Sequence, residues 1–457
     1  MRFLVECTYV YEHPKDNSGI QRVVRNVINH LGRVDAGVEC IPVMMHAGQL
    51  YRVISLTPLR ADLRGGLRKA LIVKLEHALA RFWWWHSRFE RLWPLSEEGL
   101  ARRLWRLFGR MLALTLFVPI KIARYFCPST APAPERAIPF EAQAGDQLLM
   151  LDSSWHADFF PLAEGLKAKG VGIISVIYDL IPLTHPQFCD EGLVKVFDRW
   201  FDWVAKTADG FMAISQTISR QVAEELERRL GPREARQRWH GHFYLGADLD
   251  LARDRAVREH SLASLFQGDG PVYLMVSTIE PRKNHQYLLD AFELLWEQGS
   301  PARLCIIGKV GWKCQDLIRR IQRHPEWKKR LFMFNQADDS SLEYAYANST
   351  ALVFPSHVEG FGLPLVEAMQ RGLPVMASDI PVFREVGGDF MAYFDLQAPS
   401  SLAELILEFE KSKAFPARRS ISEWSWIDWL ESSRQLIRGS LAGVSGSGVE
   451  AGDTGPV

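Results

Sequence analysis

The chain has 457 residues, of which 47% are hydrophobic and 24% charged, a composition typical of globular proteins with large buried cores. Lysine plus arginine and aspartate plus glutamate balance at 54 each, so the overall charge gives no argument for nucleic-acid binding. The six cysteines form no CxxC pair, which argues against a zinc site and a disulfide framework and suits a reducing cytoplasm. The length makes two domains the natural expectation.

Strand-like and helical segments alternate along most of the chain, which predicts an α/β architecture with parallel sheets. A linker near residues 251–270 separates two halves, and a helix is predicted over 20–31 near the start. The strands predicted for the first half span 3–10, 38–45, 147–152, 171–178 and 210–214. Those predicted for the second half span 272–277, 304–308, 331–335, 351–355, 374–378 and 391–394. The last predicted helix lies within 421–440, and the Gly/Ser-rich tail 441–457 is predicted to be disordered.

Residues 52–145 interrupt this alternation. Between Arg60 and Arg124 there are 14 lysines and arginines against 5 aspartates and glutamates, interleaved with tryptophans. The apolar run 111–120 is well short of the ~20 residues needed to span a bilayer. Basic residues mixed with Trp and Leu predict a helical insert that lies on an anionic membrane surface. The alternative is that these helices only enlarge the N-terminal domain, with tryptophan in its core and arginine in water.

The segment 356–369 sets two carboxylates, Glu359 and Glu367, eight positions apart around a Gly-Phe-Gly-Leu-Pro turn. A buried strand is predicted before this turn and a short helix after it. Ligands dock at the carboxyl ends of parallel strands, and a helix N-terminus offers backbone N–H groups to phosphate. The segment therefore predicts a ligand-binding loop, the alternative being a turn with two solvated glutamates.

A basic pair, Arg282 and Lys283, stands at a second strand-to-helix junction, in Ser277-Thr-Ile-Glu-Pro-Arg-Lys-Asn284. Such a pair can neutralise a diphosphate, the arginine through a forked contact and the lysine as a point charge. The alternative is an ordinary helix start with exposed basic residues. In the first half, Asp179 follows a predicted strand and is either a functional carboxylate or the cap of the next turn.

Four strings carry a family resemblance: E-G-F-G-L-P-x-x-E-A-M from Glu359, E-P-R-K-N from Glu280, S-G-I-Q-R-V-V-R around Gly19, and D-L-I-P-L-x-H-P from Asp179. Together they resemble the retaining glycosyltransferases of family 4, which have the GT-B fold. The resemblance implies two Rossmann-like domains facing across a cleft. It makes 1–262 the acceptor-binding domain with its insert, 263–420 the nucleotide-sugar domain, and 421–440 a helix that crosses back to the first domain.

The resemblance also implies roles for these residues. Glu359 would contact hydroxyls of the donor sugar, Glu367 would hold the ribose, and Arg282 with Lys283 would hold the diphosphate. Asp179 would lie on the acceptor side, and Tyr178 stands where many relatives have a histidine facing the donor sugar. The remaining predicted donor-binding positions are Gly19 and, through backbone N–H groups that would stabilise the leaving phosphate, Gly360, Phe361, Gly362 and Leu363.

Two pairs of acidic residues are not interpreted as metal sites. Asp248 and Asp250 spell a DxD but fall where family 4 chains enter the interdomain linker, and Asp338 with Asp339 is interpreted as a helix N-cap. No metal or other cofactor is implied.

The function expected from the resemblance is that of a hexosyltransferase, cytoplasmic and peripheral on the inner face of the cytoplasmic membrane. It would move mannose or rhamnose from a nucleotide-sugar donor, with a GDP-linked sugar expected, to a lipid-linked oligosaccharide during O-antigen or other surface-polysaccharide synthesis. Other glycosyltransferases are candidate partners, and nucleic acid is not. A GT-B sugar-nucleotide epimerase and a non-catalytic scaffold of a glycosyltransferase complex are the alternatives.

Overall fold

The structure of the protein is a computed structural model, and it describes residues 1–14, 19–34, 37–56, 136–152, 159–247, 265–335 and 337–446, with single positions at 105, 107, 109, 111, 155 and 262. Most of the 52–145 insert, the Asp248–Asp250 motif and the tail from 447 onward lie outside the described residues. The predictions made for those segments fall outside them as well. The chain separates into one unit of residues 1–50 with 141–457 and a second unit of residues 51–140.

Strands and helices alternate through the first unit, and residues 51–53 and 137–139 add strand segments in the second. The strands are β1 (Arg2–Glu6), β2 (Glu39–His46), β3 (Gln49–Val53), β4 (Ala137–Pro139), β5 (Gln147–Met150), β6 (Gly172–Ile177), β7 (Gly210–Ala213), β8 (Trp239–His242), β9 (Val272–Val276), β10 (Arg303–Ile307), β11 (Leu331–Phe334), β12 (Ala351–Phe354), β13 (Val375–Ser378) and β14 (Ala392–Phe394). The α-helices are α1 (Thr8–Glu12), α2 (Gly19–His30), α3 (Phe160–Ala168), α4 (Ile181–Thr184), α5 (Glu191–Thr207), α6 (Gln216–Leu230), α7 (Pro232–Ala235), α8 (His285–Glu297), α9 (Gln315–Arg323), α10 (Asp339–Asn348), α11 (Leu363–Gln370), α12 (Pro381–Gly387), α13 (Pro399–Ser412) and α14 (Trp429–Val444).

The first sheet of this unit is parallel and runs in the order β2-β1-β5-β6-β7-β8. In the second unit, β3 residues 51–53 pair antiparallel with β4.

The strand predicted over 3–10 is wrong beyond residue 6, because the chain turns into α1 there. Glu6 accepts a hydrogen bond from the Thr8 N–H at 2.7 Å, and Asp152 accepts one from the Val10 N–H at 2.8 Å. These two carboxylates accept hydrogen bonds from backbone N–H groups that, in a longer strand, would donate to the neighbouring strand.

The second sheet is also parallel, in the order β11-β10-β9-β12-β13-β14, and each predicted strand of this half is present to within one or two residues. Its strands are buried on both faces, as Tyr273 and Leu274 of β9 illustrate with no exposed surface. Among the described residues, three strands were missed: β3, β4 and β8. Of these, β8 reads Trp-His-Gly-His, a polar sequence at the edge of the first sheet.

The C-terminal helix differs from its prediction at both ends. Helix α14 begins after Asp428, whose side chain accepts from the Glu431 N–H at 2.7 Å, and it contacts α2, β7 and β8 of the first sheet. Residues 441–444, predicted to be disordered, belong to this helix. The reason is close packing: a Cβ on Gly443 would overlap the Trp239 ring, so the small residues let the helix close onto β8. Among the described residues, no helix is both long and apolar enough to span a bilayer.

Candidate functional site

The basic pair and Glu359 meet at the carboxyl edge of the second sheet. After β9, a 3₁₀ turn over Pro281–Lys283 leads through the left-handed residue Asn284 (φ 57°) into α8. After the neighbouring strand β12, the loop brings Glu359 to the same place. Arg282 Nη1 lies 2.7 Å from Glu359 Oε2, and Lys283 Nζ forms an ion pair with Glu359 Oε1.

This cluster is almost closed to solvent, with Glu359 8% and Lys283 7% exposed. Burial by itself would raise the pKa of Glu359, but Arg282 and Lys283 outweigh it and lower that pKa to about 2. Burial and the neighbouring Arg282 lower the pKa of Lys283, although Glu359 acts in the opposite direction. The alternatives of exposed basic residues and a solvated glutamate are therefore wrong for Lys283 and Glu359.

Glu280 is a member of the cluster that sequence reasoning missed. Arg282 Nε lies 2.6 Å from Glu280 Oε1, and Glu280 is 3% exposed. Burial raises the pKa of Glu280, against the opposing effect of Arg282 and Lys283. Its position inside the E-P-R-K-N string was the available signal. Arg282 is thus shared between two carboxylates.

Glu367 lies on α11 and has different partners. It is 1% exposed, its Oε1 is 2.5 Å from Arg22 Nη2, and its Oε2 accepts a hydrogen bond from the Tyr346 hydroxyl at 2.8 Å. Arg22 belongs to α2 of the first half, so this ion pair joins the two halves. Neither partner was predicted. Arg22 stands three residues after Gly19 in the string already noted, whereas nothing in the sequence marks Tyr346.

The turn between the two glutamates makes close contacts with protein groups. A Cβ on Gly360 would overlap the carbonyl oxygen of Tyr178, and the Gly360 carbonyl accepts a hydrogen bond from Ser215 Oγ at 3.0 Å. Gly362 has φ 103°, a left-handed conformation that favours glycine. The close approach of the Tyr178 backbone gives a packing reason for glycine at position 360, and the donor-binding role of Gly360 stays a prediction.

The donor-binding prediction for Phe361 and Leu363 concerns their backbone N–H groups, and their side chains have structural places of their own. The Phe361 side chain is 3% exposed and packs with the rings of Tyr244 and Trp426, whose centroids lie 6.4 and 6.0 Å away. Leu363 is the first residue of α11. The Phe361 side chain therefore anchors the turn in an aromatic cluster, and only the backbone of this turn remains a candidate for phosphate contact.

Tyr178 and Asp179 directly follow β6 and lie against Gly360 of this turn. The Tyr178 hydroxyl donates to the Leu151 carbonyl at 2.7 Å, and burial together with Asp152 raises its pKa. Asp179 Oδ1 accepts from the Ile181 N–H at 3.0 Å, so the turn-capping interpretation of Asp179 holds. Burial raises the pKa of Asp179, and the opposing effect of Arg282 only partly offsets it. Asp179 is therefore within the electrostatic field of the basic pair as well.

Gly19 is the first residue of α2, and a Cβ there would meet no heavy atom within 4 Å. Packing among the described residues therefore gives no reason for glycine at this position.

Asp338 caps α10 by accepting from the Ser341 N–H at 2.8 Å, which confirms the N-cap prediction. Within the described part of the chain, no three or more His, Cys, Asp or Glu side chains are grouped as metal ligands would be.

Two parallel sheets and a charged cluster at the carboxyl end of the second define a protein of the GT-B class. A solved structure of HepE from Anabaena, in complex with UDP and glucose, shares this fold at a TM-score of 0.50, with 13% identity over 98% of this chain and all of that one. The GT-B prediction is confirmed. Residues 257–424 match the family described as glycosyl transferases group 1, so the chain contains a group 1 glycosyl transferase domain.

Two relatives from Escherichia coli are similar in sequence. The serotype-specific mannosyltransferase WbdA is 33% identical over 301 residues, which cover 64% of this chain and 37% of WbdA. O-antigen chain mannosyltransferase B is 31% identical over 170 residues, or 36% of this chain and 44% of that protein. The chain thus spans less than half the length of these relatives.

Proposed function

We propose that this protein is a retaining family 4 glycosyltransferase that transfers a hexose from a nucleotide sugar, with mannose the favoured sugar and rhamnose the second candidate. The observation that carries the proposal is the buried cluster of Arg282, Lys283 and Glu359 at the carboxyl ends of β9 and β12. This edge of a parallel sheet is where nucleotide ligands dock. The two E. coli relatives named as mannosyltransferases support the choice of sugar.

The residues suit this chemistry in three ways. Arg282 and Lys283 can neutralise a diphosphate and stabilise the negative charge that grows on it as the sugar departs. Glu359 is ionised over the whole physiological range, because its pKa is about 2, and an ionised carboxylate can accept two sugar hydroxyls. Glu367 is assigned to the ribose. The donor is proposed to be GDP-linked, with no metal or other cofactor.

The acceptor is proposed to be a lipid-linked oligosaccharide of O-antigen or another surface polysaccharide, reached at the inner face of the cytoplasmic membrane. Two described residues of the basic insert, Leu107 and Met111, are helical, one turn apart, and 58% and 64% exposed. Apolar side chains beside many basic ones favour binding to an anionic lipid surface.

The donor assignment is tested by calorimetry with GDP-, UDP- and dTDP-sugars. We expect binding to one series, and we expect Lys283→Ala to lose both donor binding and turnover. Lys411→Ala is the matched control, because Lys411 is an exposed lysine of the same domain. A folded Lys283→Ala variant with unchanged donor affinity and turnover would refute the phosphate role. Conversion of free donor to another sugar nucleotide would indicate the epimerase alternative.

Flotation with anionic liposomes tests the membrane assignment. The double substitution Leu107→Glu with Met111→Glu should reduce the floated fraction, whereas Val196→Glu, at a 37% exposed position on α5, should not. Equal flotation of all three proteins would contradict it.

A further inference from the structure

The carboxylate assigned to the ribose is covered by an arginine from the other half of the chain. Glu367 is 1% exposed, while the Arg22 side chain that holds its Oε1 is 21% exposed. The other residue that donates a hydrogen bond to Glu367 is Tyr346, which lies on α10 within the same domain as Glu367 and is itself 1% exposed. Of the two groups that hold Glu367, Arg22 is therefore the one on the solvent side.

A ribose hydroxyl that donates to Glu367 must come within about 3 Å of a carboxylate oxygen. At 1% exposure no such approach is open while Arg22 stays on Oε1. Each carboxylate oxygen has two acceptor sites, so Tyr346 can keep its hydrogen bond during the exchange. The step that ribose binding requires is the departure of the Arg22 guanidinium.

We propose that Arg22 is a specificity-determining residue that competes with the ribose for Glu367. This inference rests on the ribose role of Glu367 in the proposed function. Nucleotide binding exchanges a guanidinium for hydroxyls on the carboxylate, and it leaves the positive charge of Arg22 beside a ligand that carries a diphosphate. The exchange reduces the discrimination between ribose and deoxyribose, because part of the free energy gained from the ribose hydrogen bonds only offsets the loss of the ion pair between Arg22 and Glu367.

Other contacts hold the two halves together when this pair is broken. Glu385 on α12 accepts from the Gln216 N–H at 2.5 Å and the Thr217 N–H at 2.8 Å, at the start of α6. Ser215 donates to the Gly360 carbonyl nearby. An Arg22 variant can therefore keep its fold and the contact between its halves.

The test compares a nucleoside diphosphate with its 2′,3′-dideoxy counterpart, using whichever base binds most tightly in the donor series. The measured quantity is the ratio of the two dissociation constants, dideoxy over ribo. For Arg22→Met we expect this ratio to rise roughly three- to tenfold, because the ribose meets a carboxylate free of its competitor. Arg22→Lys should keep a ratio near that of the wild type. Arg25→Met, on the same helix, is the control for loss of a positive charge and should leave the ratio unchanged.

A ratio that stays constant or falls in Arg22→Met would overturn the proposal, a fall indicating that Arg22 positions Glu367 for the ribose. If Arg22→Met does not fold, Arg22→Gln carries the same expectation. Glu367→Ala separates the premise from the inference, because alanine, unlike glutamine, has no side-chain oxygen that could accept a ribose hydroxyl. It should bring the ratio close to one in the wild-type and Arg22→Met backgrounds alike, and an unchanged ratio in the wild-type background would remove the ribose role itself.

Discussion

Replacing Glu359 by glutamine tests how much the charged cluster contributes to the fold as well as to ligand binding. The sequence alone suggests that removing this carboxylate would abolish transfer and leave the fold intact. The structure changes that expectation, because Glu359 is the shared partner of two buried cations. A pKa lowered from 4.5 to about 2 corresponds to ~3 kcal/mol of stabilisation at neutral pH. Loss of one partner from a buried ion pair costs roughly 3–5 kcal/mol, which agrees.

The assay is urea unfolding followed by circular dichroism at several pH values. At neutral pH, Glu359→Gln should lower the free energy of unfolding by about 3 kcal/mol. The folded-state pKa is below the unfolded one, so the wild type keeps this stabilisation above pH 4.5 and loses it as the pH falls towards about 2. The difference between the two proteins should therefore narrow below about pH 4.5.

Glu343→Gln is the matched control, since Glu343 pairs with Arg371 at 2.7 Å but is 35% exposed. Such a pair is worth at most ~1 kcal/mol. A Glu359→Gln variant within about 0.5 kcal/mol of the wild type at neutral pH would refute the reasoning, because a buried pair would then behave like an exposed one.

Three further substitutions test the packing around the site. Gly360→Ala should lower stability by roughly 1–3 kcal/mol and reduce turnover, because its Cβ would overlap the Tyr178 carbonyl; Gly165→Ala in α3, with no atom within 4 Å, should be neutral or stabilising, and equal effects in the two would contradict the overlap. Glu385→Gln should cost about 1–2 kcal/mol in urea unfolding, since it removes a carboxylate from a helix N-terminus, and an unchanged midpoint would disprove this. Asp338→Ala should cost ~1 kcal/mol through loss of its N-cap, measured as a lower thermal midpoint, and a midpoint equal to that of the wild type would count against it.

The sequence by itself determined the elements and the local chemistry of the site. Buried parallel strands appear as short apolar runs between glycine and proline signals, so the strands of the second sheet were predicted almost residue by residue. Arg282, Lys283 and Glu359 could be predicted to meet because each follows a strand, and the carboxyl ends of neighbouring parallel strands share one edge. Both inferences need only local pattern and strand direction.

The tertiary structure alone decided which partner each group takes. Arg22 and Glu367 lie 345 positions apart, and their meeting depends on how the two halves pack. The same holds for Gly360 against Tyr178 and for the Phe361 ring in its aromatic cluster. The type of a side chain shows that it needs a hydrogen-bond partner or a buried surface. The sequence does not show which of the many acidic or aromatic residues of the chain will be that partner. The contact between the two halves selects one of them, and for this protein it places an arginine where the sequence suggested a ribose.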